Sequence, residues 1–539
     1  MQPAASNPRR PLPRQGCGAP RAAWPARRVS APRPRVPLTP LLNRTRLLSE
    51  RPFVSALSRL LQIVFLHLHR PAPMQEAFQS SHGDERRHRV SSDRSSGELS
   101  RRASASAEFP PADGADVREP LLGHAAVDDA HPVDLATIGK GTLFTSFAAL
   151  ANTLLGAGIL GLPAAFAATG WAVGLSLLTF FAGCSAFGLH LLYCCASHTG
   201  IPSSFGGVSQ ASVPWLAWAI DAAISVKCFG VATSYLIVVG DSMPEVLRDG
   251  PTRLVWILIG FAVVTPLAYL RTLTALRFTA VLSLSFVAFT TFLVAAYTLP
   301  ALNPCAISID SIVDPGCGQR QAARVDQTSF AKLSVFVFAY TCHQNAFATL
   351  HNELKNPTPL RANLVIGMSI SLALFMYCTM SLAGYFIFGD KVGTDVLKGF
   401  SEDAVLFKVA RALVSVLVCF CFPLQVNPAR ASILGLLRRC GPRMSSFANS
   451  RLSHWVVTTC FLGLSLLVAI VVTDLGIILS IVGATGSTTV TFILPGLCYY
   501  KLFPHPHCKR TLALCQCVLG CAIFPFALFF IFKGVVGGH

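Results

Sequence analysis

Two interruptions stand out in the apolar part of the chain. The first is "LLGAGILGLP" (154–163), which places Gly156, Gly158, Gly161 and Pro163 in one apolar run. Glycine and proline each cost roughly 1–3 kcal/mol in a helix interior. The second is "FVFAYTCHQNAFATLHNEL" (336–354), where a polar run replaces an apolar face. A broken helix leaves backbone N–H groups and carbonyls without partners. N–H groups at a positive dipole end suit a carboxylate, and free carbonyls suit a cation or an ammonium group. A zwitterionic amino acid carries both. On this reading Leu155, Gly156, Ala157, Gly158 and Ile159 meet the α-carboxylate, while Ala339, Tyr340, Thr341 and His343 face the amino group and side chain. The other use of such glycines is close helix–helix packing.

Three ionisable residues fall inside apolar runs, where such groups are costly and usually functional. His343 sits in the second interruption. It either carries a coupling proton, since His titrates near neutral pH, or stays neutral and bonds the unwound backbone. Lys227 lies in the third run, six positions after Asp221. It either fills a cation site without metal or pairs internally with an acid, Asp221 being the one at hand, and the structural pair is the expectation; His343, Lys227 and Asp221 are the candidates for proton coupling. Asp241 and Glu245, at the end of that run, read as solvated loop acids. Covalent chemistry is not expected. "HNEL" (351–354) lacks the second His of a metalloprotease motif. "HPHC" (505–508) with Cys515 and Cys517 matches no closed zinc site. The chain reads as no enzyme, with no metal and no cofactor.

The elements that must hold these residues are membrane spans. Of 539 residues, 52% are hydrophobic and 13% charged, against about 25% charged in soluble domains. The net charge of +18 sits in a Pro/Arg/Ser-rich tail and in short loops. Membrane topology explains it better than nucleic acid does. Residues 1–135 read as a disordered, basic, cytosolic extension, and 136–539 as the transmembrane domain. Within the extension, 53–69 read as an amphipathic or targeting helix, Met74 as an alternative start, and "VREPLLGH" (117–124) as a near miss to a dileucine sorting signal or a plain linker. A sequon at Asn43 would be silent in the cytosol.

About 20 residues cross a bilayer. Eleven spans are expected, at 142–167, 171–196, 213–240, 253–270, 276–299, 330–350, 362–389, 403–427, 453–473, 475–500 and 511–533. With a cytosolic N-terminus, Arg271, Arg277, Lys355, Arg361, Arg430, Arg438, Arg439, Arg443, Arg451, Lys501, Lys509 and Arg510 fall in cytosolic loops. Asp241, Glu245, Asp249, Asp310, Asp314, Asp390, Asp395, Glu402 and Asp403 fall opposite. This obeys the positive-inside rule. It also puts Cys305 and Cys317 in one non-cytosolic loop, where a disulfide persists; two free thiols are the alternative.

"NTLLGAGILGLPAAFAATGW" (152–171), "PLAYLRTLTALRFTA" (266–280), "FPLQVNPAR" (422–430) and "IVGATGSTTVTFILPGL" (481–497) resemble stretches of the amino acid/auxin permease family, the sodium-coupled neutral amino acid transporter relatives, in that family's order. "KCFGVATSYLIVVGDSMP" (227–244) and "FAYTCHQNAFATLHNELKNPT" (338–358) resemble especially its vacuolar and lysosomal members. The resemblance implies an all-α polytopic, leucine-transporter-like fold: a 5+5 inverted repeat plus one helix. It also implies a substrate site in spans 1 and 6 and a cation site between spans 1 and 8. Asn152 matches the family's span-1 Asn. Where the family carries a Thr in span 8, this chain has Cys419 and Cys421, with Ser415 one turn away. A thiol is a poor ligand for hard Na⁺, which raises proton coupling or exchange against sodium coupling.

The function expected is secondary active amino acid transport by alternating access, coupled to H⁺ or Na⁺. The alternative is an amino acid sensor that uses the same pocket and signals through the N-terminal tail. The partners implied are an amino acid and the lipid bilayer, in a vacuolar, lysosomal or plasma membrane; the tail names no protein partner.

Overall fold

The computed structural model describes residues 139–536, apart from Ala157, 248–249, 271–276 and 306–316. The expectations for 1–135 therefore lie outside the described residues. Fifteen α-helices follow in order: α1 Leu143–Leu154, α2 Gly158–Thr169, α3 Trp171–Thr199, α4 Phe205–Ser212, α5 Ala217–Ser242, α6 Arg253–Ala268, α7 Arg277–Ala296, α8 Gln327–Ala339, α9 Pro359–Phe388, α10 Val405–Arg439, α11 Pro442–Ala448, α12 Arg451–Val471, α13 Leu475–Val482, α14 Leu494–Leu502 and α15 Cys508–Val536. No strand occurs among the described residues.

Eight helical stretches are long and apolar enough to cross a membrane, and the bent pair α1–α2, 52° apart, makes a ninth. The 16-residue α6 stands where the fourth crossing is expected. The interrupted stretch that begins with α8 stands where the sixth is expected. Neither reaches the length of a straight span. The eighth runs further than expected, from Val405 through Pro423 and Pro428 to Arg439.

Local chemistry starts the helices. Thr142 and Ser329 form part of two capping boxes, Thr142 with Thr145 ahead of α1 and Asp326 with Ser329 ahead of α8. In each, side chains satisfy backbone N–H groups that the first turn leaves orphaned. Gly170 turns the chain from α2 into α3 at φ +81°, and a Cβ there would stand 2.7 Å from the carbonyl oxygen of Ala322.

Burial separates centre from rim. The apolar windows of α5 and α10 are 72% and 67% buried, and those of α12 and α15 only 33%. α5 and α10 pack along each other at the centre. Phe180, Phe292, Phe375, Leu464, Leu467, Phe529 and Phe532 are exposed on the outside, as helices in contact with acyl chains require.

Backbone bonds tie the connecting segments together at both ends of the helices. At one end Gly139 N–H donates to Asn352, Gly141 N–H to Glu353, and Lys355 N–H back to Gly141. Asp221 pairs there with Arg439. At the opposite end Trp171 N–H bonds Gln321, Gly318 N–H bonds Phe388 and Asp390 N–H bonds Gln319. Cys305 and Cys317 are joined by a disulfide as expected, with Cα atoms 5.8 Å apart.

This second end corrects the reading of Asp241 and Glu245 as solvated acids. Asp241 is 2.7 Å from Arg253 Nε and 2.9 Å from Lys398 Nζ, its side chain 8% exposed. Glu245 is 2.6 Å from Nε of the buried Arg411. Arg411 also donates to the carbonyls of Leu397 and Phe400, 2.9 Å each. The short helix Val396–Gly399, capped by Asp395 through Leu397 N–H, is thereby pinned to α10. Lys398 and Arg411, the partners from the loop before α10 and from α10 itself, lie more than 150 positions away, which no local pattern shows.

Candidate functional site

The two interruptions meet. α1 ends at Leu154 and α2 begins at Gly158; α8 ends at Ala339, followed by a 3₁₀ turn, His343–Asn345, and a π-helical stretch, Phe347–Asn352. Tyr377 of α9 reaches both breaks. Its hydroxyl is 2.5 Å from the carbonyl oxygen of Leu154 and 2.8 Å from that of Ala339. These are the last residues of the two half-helices, where the helix dipole is negative. The single hydroxyl proton serves both carbonyls in turn. Asn345 adds a second tie, its Nδ2 3.4 Å from Thr153 Oγ1 and from the carbonyl of Leu424 on α10.

Between the breaks lies a cavity of about 20 Å³, lined by Thr153, Leu154, Gly156, Gly158, Lys227, Val231, Tyr235, Phe338, Thr341 and Gln425. That volume is water-sized, so an amino acid enters only when the walls part. The glycines let those walls close. A Cβ on Gly156 would stand 2.9 Å from Tyr235 Oη, and one on Gly158 2.7 Å from the Phe338 ring. Thus close packing and the break both explain the same glycines. The "IVGATGSTTV" stretch has the same cause: α13 continues as π turns, Gly483–Ser487 and Thr489–Ile493. A Cβ on Gly483 would overlap the Ser334 carbonyl, and one on Gly486 would stand 2.6 Å from Lys227 Cβ.

Of the residues expected from sequence, Gly156, Gly158, Thr341 and Lys227 line the cavity. Leu155, Ile159, Ala339 and Tyr340 are buried around it, and Ala157 lies outside the described residues. Thr341 donates to the Val337 carbonyl at 2.9 Å. His343 is fully buried but not in the lining; its Nε2 faces Gly188 of α3, where a Cβ would stand 2.9 Å away. Lys227 does not pair with Asp221, against expectation. Its Nζ donates to Gln425 Oε1 at 3.2 Å, while Asp221 pairs with Arg439. Six positions along a helix separate two side chains by about 9 Å in rise and about 120° in direction, too far for contact.

The expected cation residues divide. Asn152 Oδ1 accepts the Cys421 thiol at 3.6 Å. Ser415 instead donates to the Arg411 carbonyl of its own helix at 2.9 Å. Cys419 is buried, about 200° around α10 from Cys421. Among the described residues no cluster of His, Cys, Asp or Glu could hold a metal.

The cavity residues not anticipated from sequence are Thr153, Leu154, Val231, Tyr235, Phe338 and Gln425, together with the bridge Tyr377. A tyrosine in an apolar run gives no local signal of a distant carbonyl. Gln425 does stand out, as the one polar side chain in "FPLQV".

Two broken helices facing each other across a buried cavity, in a chain of apolar spans, define a multi-pass membrane transporter of the leucine-transporter-like fold. Crystal structures of the Eremococcus coleocola manganese transporter share this architecture, with TM-scores of 0.50 and 0.51 at 10% identity, covering 75% and 73% of this chain and 88% of each of theirs. Residues 139–537 match the family described as transmembrane amino acid transporter protein, and the chain belongs to that family. Among its relatives are vacuolar amino acid transporter 5 of Schizosaccharomyces pombe, 36% identical, covering 68% of this chain and 86% of its own length. Vacuolar amino acid transporter 6 of Saccharomyces cerevisiae is 32% identical, covering 69% and 92% respectively.

Proposed function

We propose that this protein carries amino acids across a vacuolar membrane by alternating access. The observation that carries the reading is the meeting of the two breaks at one cavity, joined by Tyr377. The N–H groups of the span-1 break, around Gly156 and Gly158, would take the α-carboxylate. The carbonyl end of α8 and Thr341 would take the amino group. The vacuolar relatives support the membrane assigned, and the segregated loop charges support a cytosolic N-terminus.

The proton is the proposed coupling ion. A Na⁺ site between spans 1 and 8 needs several oxygens. Here Asn152 Oδ1 already accepts a thiol, and Ser415 and Thr153 direct their hydroxyls to the Arg411 and Ala149 carbonyls of their own helices. Uptake of labelled amino acids into proteoliposomes holding the full chain tests both parts. Uptake driven by a pH gradient and indifferent to Na⁺ is expected. Binding without flux under either gradient would remove the transport reading in favour of a sensor. Flux that needs Na⁺ would remove the proton.

A further inference from the structure

The turn that joins α10 to α12 carries arginines without acids. No Asp or Glu occurs between Asp403 and Asp474, and Arg438, Arg439, Arg443 and Arg451 all fall in that stretch. Arg439 is paired with Asp221 of α5. Arg443 and Arg451 are exposed, and neither has an ion-pair partner among the described residues.

Membrane topology asks only that such charges lie in a loop. Here they are held in place. α11 stands between them with an apolar cluster of its own, in which Ala448 packs with Leu434 of α10 and Val457 of α12. Gly441 turns the chain out of α10 at φ +120°. Ser450 caps α12 by accepting from Ser453 N–H at 3.3 Å, and Ser453 Oγ lies 3.0 Å from the Ala448 carbonyl oxygen. Arg438 Nε donates to Asn449 Oδ1 at 2.8 Å, so a third guanidinium is fastened two positions before Arg451.

These cations stand where the lipid-facing surface begins. Leu452, Trp455, Leu464 and Leu467 are exposed along one broad face of α12, and Met444 is exposed on α11. Tyr269 of α6 packs beside Trp455 with ring centroids 4.7 Å apart, and its hydroxyl is 2.6 Å from Thr459 Oγ1. Trp and Tyr gather at headgroup depth. Arg451 lies about one helical turn, roughly 6 Å, beyond Trp455, which is the level of lipid phosphates. A soluble anion would meet the arginines and leave the apolar face unused. A phospholipid meets both, its phosphate on the guanidinium forks and its acyl chains on the face that starts at Leu452. A zwitterionic lipid brings an ammonium beside its phosphate and gains less from cations that have no acid among them.

We infer that the α10–α12 turn binds the headgroup of an anionic phospholipid, with Arg443 and Arg451 on the phosphate and the acyl chains along α12 from Leu452. The site is separate from the cavity between the breaks and does not depend on the transport reading.

The test is binding of a fluorescent short-chain phosphatidylglycerol to the full chain in neutral detergent. Unlabelled phosphatidylglycerol is expected to compete, and phosphatidylcholine is not. Glycerol phosphate, the same charge without chains, should compete only at far higher concentration. Arg443→Gln and Arg451→Gln should each weaken binding about fivefold, the scale of one basic side chain at a lipid surface. The double variant should weaken it about 25-fold. Lys501→Gln/Lys509→Gln, which removes two cations from another turn, should leave it unchanged. Unaltered affinity in the double arginine variant overturns the inference, as does an equal loss in the lysine variant. Phosphatidylcholine competing as well as phosphatidylglycerol overturns the need for negative charge. Glycerol phosphate competing as well as the lipid overturns the lipid in favour of a free anion. If the double variant fails to fold, the two single variants decide: a loss in both supports the site, and a loss in neither refutes it.

Discussion

Replacing Tyr377 with Phe removes one oxygen and leaves the ring, which still packs against Tyr340 with centroids 5.3 Å apart. The oxygen lost is the one within 2.5 and 2.8 Å of the Leu154 and Ala339 carbonyls. Both carbonyls close a half-helix and are buried, so neither gains bulk water in exchange. The hydroxyl has one proton and makes one strong bond at a time. Its loss therefore leaves one buried acceptor unmet, at about 1–3 kcal/mol. If the bridge belongs to the closed state on the transport path, the same energy raises the barrier to transport. That corresponds to a drop of roughly 5- to 150-fold in turnover. Initial rates of amino acid uptake in proteoliposomes measure the drop, and a melting curve of the purified variant measures the stability change. Uptake within twofold of wild type, with an unchanged melting curve, would show that the hydroxyl joins nothing of consequence. A lower melting point with normal uptake would assign it to the fold alone.

Three further outcomes are expected. Cys421→Thr presents a hydroxyl beside Asn152 and should make uptake rise with Na⁺, whereas Cys419→Thr, on another face of α10, should not; a Na⁺ response equal in both variants would refute the assignment. Asp395 is held up at about 6, above its ordinary 3.8, mainly by burial, with Asp241 adding to the rise and the Leu397 N–H, Lys398 and Arg411 opposing it. The seated loop therefore binds a proton that the released loop gives up between those values. Its seating is firmest below about pH 4 and weakens as pH climbs through 6. Hydrogen exchange of 389–404, corrected for intrinsic rates, should show that trend in wild type and lose it in Asp395→Asn; the same slope in both would sink the idea. Gly483→Ala drives a Cβ into the Ser334 backbone carbonyl and should abolish monodisperse protein, while Gly206→Ala, whose nearest neighbour is 3.8 Å away, should leave the yield intact.

Hydropathy made most of the span positions legible, because a helix in lipid needs about 20 apolar residues. The breaks were legible for the opposite reason: Gly156, Gly158 and Pro163 are costly in a helix, and the polar run at 341–345 is costly in lipid. The family resemblance set Asn152 against span 8 but left Ser415, Cys419 and Cys421 all open as its neighbours; the one it meets is Cys421. What stayed hidden depends on contacts across long stretches of sequence. Tyr377 lies more than 220 positions from Leu154, and Gln425 lies 198 from Lys227. Asp241 and Glu245 looked solvated because Lys398 and Arg411 cannot be brought to them by any local rule. The expected Asp221–Lys227 pair failed on helix geometry alone, which the spacing of six does contain.

The strip of backbone bonds at 139–141 and 352–355 turns the two broken spans into one linkage at that end. Gly139, Gly141 and Lys355 contribute bonds of 3.0, 2.6 and 2.8 Å, together worth roughly 1.5–4.5 kcal/mol. The head of span 1 and the foot of span 6 are geared to each other there, with no free play in between. A movement that opens this mouth must carry both spans as one body or unzip the strip first.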